Sequence, residues 1–103
     1  MVAKRKFYVE TTYINEVIAG GVYSLTITSK AALEMKAAET NISDVTYVLM
    51  HGRVVRSDML EMRGLWDVRG KTVDGAILEL TVAVISVEHN VELLEVLLVK
   101  KEG

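Results

Sequence analysis

The chain has 103 residues and a formal net charge of −2; half of its residues are apolar, a quarter are charged, and none is cysteine or proline. That length suits one domain around one modest core, and the missing cysteines exclude disulfides, thiolate zinc sites, iron–sulfur clusters and cysteine nucleophiles. Twelve basic against fourteen acidic residues leave neither a basic block that would track a phosphate backbone nor an extreme acidic mimic of one.

The first residues, Met1 to Lys6, are basic and the segment behind them is mixed and polar, so no apolar core of a signal peptide is expected. No apolar run reaches the roughly 18 residues that a membrane span requires. The expectation is a cytoplasmic protein, a single domain over residues 1–103, with no membrane partner, no cofactor and no metal.

Ile14, Val17 and Ile18 fall at i, i+3 and i+4, one face of a helix. Thr11 or Thr12 can cap its start, and Gly20-Gly21 should end it, because glycine accepts the left-handed conformation at low cost. Val22 to Thr28 alternates, with Tyr23, Leu25 and Ile27 on one side, as a short strand or an extended connector. Ser29 is a candidate cap for a second helix over Lys30 to Glu39, with Ala31, Met35 and Ala38 in one stripe. Asn41 or Ser43 can cap a third, in which Val45, Val48 and Leu49 form the buried face and Gly52 is the stop.

Beyond Gly52 the period drops from about 3.6 to 2. Arg53 to Ser57 reads as a strand, and Trp66 and Val68 alternate with charged neighbours in another. Asp74-Gly75 marks a tight hairpin turn before a long β-rich strand, Ala76 to Val87, and His89-Asn90 turns the chain into Val91 to Val99. The leucine and glutamate content of that last segment favours helix, whereas its apolar residues on both sides favour strand, which is the reading adopted. The resulting class is α+β: two or three N-terminal helices packed on a three- to four-stranded antiparallel sheet.

Four stretches carry a resemblance. They are Tyr23-Ser24-Leu25-Thr26; Asp44-Val45 with Val48-Leu49 and Gly52-Arg53-Val54-Val55; Trp66-Asp67-Val68-Arg69-Gly70; and Asp74-Gly75 before the long strand. In order and spacing, Tyr23 to Val99 resembles an uncharacterised family of small bacterial and phage proteins related to the RelE/ParE toxin superfamily. The resemblance implies a RelE-like fold in which two helices precede the sheet. Relatives usually carry a histidine and two arginines along the second helix, where this chain has Lys30, Glu34 and Ala38. The structural positions Ala31 and Met35 remain. The resemblance therefore implies the scaffold without the inherited polar equipment.

Candidate sites follow from the residues. His51, at the end of the third helix, can be a general acid or base or simply a cation favoured by the helix dipole. Arg53, Arg56, Arg63, Arg69 and Lys71 are the one local basic cluster. In a RelE-type nuclease, His51 with Arg53, Arg56 and Arg69 would stabilise charge on phosphate; otherwise the cluster is a solvated sheet face with cross-strand ion pairs. Asp58 to Leu65 holds two methionines and two leucines in what should be an exposed connector. Met59, Leu60, Met62, Arg63 and Lys71 are therefore candidates for a protein-binding surface, with tucking under the sheet as the alternative. Trp66 should anchor the core, and His89 should be a turn residue. Val91 to Val99, as an apolar edge strand, would suit homodimer pairing. The functional expectation is a non-catalytic protein-binding module, a phage or mobile-element inhibitor of a host protein such as a defence component. The alternative is an RNA-cleaving toxin of a toxin–antitoxin pair.

Overall fold

The elements run α1 (Tyr8–Gly20), β1 (Tyr23–Ile27), α2 (Ser29–Ala37), α3 (Ile42–His51), β2 (Arg53–Leu60), β3 (Arg63–Lys71), β4 (Ile77–Glu88) and β5 (Val91–Glu102), in a computed structural model that describes residues 6–60, 63–88 and 91–102. The helices start and stop for local reasons. Gly21 closes α1 at φ 75°, its N–H bonded to the Ile18 carbonyl. The cap of α2 is Thr28, one residue earlier than the expected Ser29: its extended backbone lets the hydroxyl accept from the Ala31 N–H. Asn41 caps α3 in a reciprocal box, accepting from Asp44 N–H at 2.9 Å while the Asp44 carboxylate accepts from Asn41 N–H at 3.1 Å.

Two expectations about helix ends change. Thr11 is not a cap, because α1 begins at Tyr8; its hydroxyl accepts instead from the Val54 N–H on β2 at 2.9 Å. Gly52 does end α3, but with φ −80° its backbone is open to any residue. What it supplies is space: a Cβ there would sit 2.5 Å from the Val48 carbonyl oxygen and 2.7 Å from that of Arg69. Gly70 faces it, where a Cβ would come within 2.9 Å of the Gly52 Cα. The pair lets the end of α3 lie directly on β3.

The sheet has five strands in the order β1-β5-β4-β3-β2, so it is larger than the three or four expected and mixed rather than antiparallel. Strands β2 to β5 form the antiparallel meander that turn chemistry predicts. At the turn between β3 and β4, Gly75 takes φ 89° and Thr72 binds Ala76 through both backbone and hydroxyl. The fifth strand is β1, which lies parallel to β5 in the register Tyr23↔Glu92 to Ile27↔Val96. A parallel partner needs a crossover, and here that crossover contains two helices and three strands. Val91 to Val99 is a strand as expected, but an interior one, flanked by β1 and β4. Strand β1 covers it over Glu92–Val96, and beyond β1 the Val99 N–H is taken by Glu34, so it is not the free edge strand expected.

Alternate residues of the strands bury one face of the sheet. Val54, Val68, Leu78, Leu80, Val82, Leu94, Val96 and Val99 pack with Ile14, Ile18, Ala31, Val45, Val48 and Leu49 in one cluster. Helix α2 rests on β5, α3 on β3 and β4, and α1 on α3 and β2. Helix α1 begins beside β2 and ends at the turn into β1, the opposite edge. Its 13 residues span about 20 Å, close to the width of five strands. Asn15 fastens it by donating to the carbonyls of Leu49 (2.8 Å) and Gly52 (3.2 Å) at the end of α3. No helix among the described residues is long and apolar enough to cross a membrane.

Candidate functional site

All three helices lie on one side, so among the described residues the other side of the sheet is uncovered. Register decides what stands there. Arg53 is opposite Arg69, Arg56 opposite Asp67 and Asp58 opposite Leu65 on β2 and β3. Across β3 and β4, Arg69 meets Glu79 and Asp67 meets Thr81. Across β4 and β5, Glu79 meets Lys100, Thr81 meets Leu98 and Ile77 meets Glu102.

This arrangement turns the basic cluster into ion pairs. Arg56 binds Asp58 at 2.7 Å and lies 3.8 Å from Asp67. Asp67 also accepts from the Thr81 hydroxyl at 2.7 Å. Arg69 reaches across β4 and grips Glu102 on β5 with both terminal guanidinium nitrogens, one at 2.6 Å, with Glu79 at 3.9 Å. The Asp58 hydrogen bond and charge raise the Arg56 pKa, and the Glu102 hydrogen bond raises that of Arg69. Reciprocally, the Arg69 bond holds the Glu102 carboxyl below its ordinary range. A depression of about 350 Å³ opens among Arg56, Asp58, Asp67, Glu79, Thr81 and Lys100, with Leu65 and Leu98 as its apolar lining.

Arg53, Arg56 and Arg69 therefore share one face, as a phosphate-binding reading requires, but His51 does not join them through any contact. It ends α3 in the helical layer, exposed, with its ring 4.5 Å from that of Tyr47. Lys71 is exposed at the end of β3, on the uncovered side. The expected methionine-rich connector is strand instead: β2 runs to Leu60 and β3 starts at Arg63, which pair with each other. Met59 is 76% exposed there. Met62, and the side chains of Leu60 and Arg63, lie outside the described residues, as does His89. Trp66 is half-buried at the margin of the core, edge-on to Tyr13 with centroids 5.9 Å apart.

Several residues that matter carry no signal in the sequence. Glu34 accepts from the Val99 N–H on β5 at 2.9 Å. It takes the place of a neighbouring strand where β5 outruns β1. Lys101 donates to the Ala38 carbonyl at 3.1 Å, a cation at the end of α2. Glu92 is buried on the helix-bearing side opposite Tyr23, and its Oε2 has no hydrogen-bond partner; burial pushes its carboxyl up. Among the described residues, no three histidine, aspartate or glutamate side chains come together as metal ligands would. Comparisons with protein-family models, with curated proteins and with solved structures find no match.

Proposed function

We propose that this chain is a non-catalytic protein-binding module on a RelE-like scaffold, and that it meets its partner through the uncovered face of the sheet. The scaffold reading is supported by α2 and α3 preceding the β2–β5 meander, the layout that the resemblance implies. One observation carries the functional reading: Arg56 and Arg69, the cations best placed to hold phosphate, are already paired with Asp58, Asp67, Glu79 and Glu102. A phosphate would have to displace carboxylates from both.

Paired charges around Leu65 and Leu98 match the composition of a non-obligate protein interface, where a small apolar centre sits within a polar rim. The partner that suits it presents an apolar side chain to the depression and charges of both signs around it. In the phage or mobile-element setting that the resemblance implies, that partner is a host protein, and binding inhibits it.

The test places a photo-crosslinking residue at Leu98 on the uncovered face, or at Leu33 on the exposed side of α2. A discrete protein adduct from position 98 and not from 33, reproduced with the purified partner and lost in Leu98→Arg, supports the proposal. RNA cleavage by the purified chain, with growth arrest on expression that His51→Ala relieves, would overturn it in favour of the endoribonuclease toxin.

A further inference from the structure

The outermost strand β2 is paired on one side only, and the backbone on its other side can be followed through the register. Val54 directs its N–H away from β3, to the Thr11 hydroxyl. Its partner Val68 therefore directs its polar groups to β4, and Trp66 and Gly64, at two-residue steps along an unbroken β3–β4 register, do the same. Their partners on β2 are Ser57 and Met59, whose N–H and C=O groups consequently point outward, past the bulge between Val54 and Arg56. Thr11 closes the edge at Val54, and among the described residues none closes it at Ser57.

The side chains flanking Ser57 are Arg56 and Asp58, both on the uncovered face and both well exposed, at 69% and 51%. From this geometry we infer that β2 pairs antiparallel with β2 of a second copy of the chain, about a two-fold axis at Ser57. In that register Ser57 of each copy exchanges both backbone hydrogen bonds with its counterpart, and Arg56 of each copy stands opposite Asp58 of the other. These opposed positions form the non-hydrogen-bonded pairs, in which side chains approach most closely. The two sheets become one of ten strands, with a row of four alternating charges across the join.

The occupant follows from the charge order. A strand read antiparallel against Arg56-Ser57-Asp58 must present its own charges in the same chain order, and a second copy does so by symmetry. Neighbouring registers fail. An axis at Arg56 or at Asp58 sets like charges opposite each other. An axis at Met59 leaves both charges without their complements. Among the registers the outward backbone groups allow, charge thus selects one, and like-charge opposition rejects its neighbour. The other outermost strand, β1, is five residues long and presents Ser24 and Thr26 on the uncovered face, so it has no charge with which to select.

The test is a charge exchange read by sedimentation velocity over a concentration series of the full chain. Wild-type protein should dimerise reversibly. Arg56→Asp and Asp58→Arg should each be monomeric, because each sets like charges opposite each other twice. An equimolar mixture of these two variants should form the heterodimer, and the double variant Arg56→Asp/Asp58→Arg should regain the homodimer. Ser57→Pro removes an outward N–H that bonds nothing within the chain's own sheet; it should abolish the dimer while leaving the melting temperature close to wild type. This keeps the test open if a charge variant misfolds. A wild-type chain that stays monomeric up to about 1 mM, or a dimer unaffected by Ser57→Pro, overturns the inference.

Discussion

The two faces of the sheet are built from neighbouring residues of the same strands, yet they do opposite things. On the helix-bearing face Leu78, Leu80 and Val82 are inaccessible to solvent and close a core with all three helices. On the other face, one residue along, Glu79 and Thr81 line the depression between paired charges. A period of two separates the stabilising surface from the face proposed to meet a partner. Substitutions at adjacent positions should therefore fall into two classes, one read in stability and the other in binding.

The largest effect should come from Leu80→Ala. It removes a fully buried side chain and should cost about 2–5 kcal/mol of unfolding free energy in denaturant melts. Thr81→Ala, next to it, loses one hydrogen bond to Asp67 and should cost about 0.5–1.5 kcal/mol. Equal losses at 80 and 81 would mean that the second face is covered after all.

Next comes Glu34→Ala, about 1–3 kcal/mol, because the Val99 N–H would lose its acceptor. Glu34→Gln keeps an oxygen in place and should recover most of that loss. If alanine and glutamine are equivalent, Glu34 does not seal the exposed length of β5.

How legible these faces were in the sequence depends on the range of the interactions. The three helices were readable because their stripes, and the cap of α3, are local: Val45, Val48 and Leu49, with Asn41 before them, need only ten residues of context. The Asp74-Gly75 turn and the meander were readable for the same reason. The parallel pairing of β1 with β5 was not, since Tyr23 and Glu92 lie 69 positions apart with no turn between them to set a register. That omission made an interior strand look like an edge. At the candidate site, the arginines were visible but their neutralisation was not. Arg69 and Glu102 are brought together only by the β3–β4 and β4–β5 registers. Glu34 looked like a lost functional residue because its partner is a backbone N–H 65 positions away.

Glu92 and Glu102, both on β5, sharpen the comparison because the two faces shift them in opposite directions. Burial raises the Glu92 pKa, so the folded chain binds a proton there more tightly than the unfolded chain. Its contribution to stability is therefore lost as pH rises from the ordinary carboxylate range through its folded pKa. Glu92→Gln should flatten that decline and raise the melting temperature at neutral pH, when compared with wild type across a pH series. A steeper decline in the variant would mean that the Glu92 carboxylate is stabilised in the fold.

The smallest effect belongs to the charged face, and its sign is the reverse. The Arg69 bond lowers the Glu102 pKa, so this pair's contribution is present above the ordinary carboxylate range and fades as pH falls through the folded value. Both partners are partly exposed, at 33% and 48%; such pairs add little to stability and are screened by salt. Arg69→Gln should therefore leave the neutral melting temperature nearly unchanged and remove a small, salt-sensitive part of the acid dependence. If the open face meets a partner as proposed, freeing Glu79 and Glu102 gives it an uncompensated negative field, which should weaken that binding most at low ionic strength. Should Arg69→Gln lower stability as much as Leu80→Ala, the ion pair would be holding the sheet together rather than dressing its surface, and the division of labour between the faces would fail.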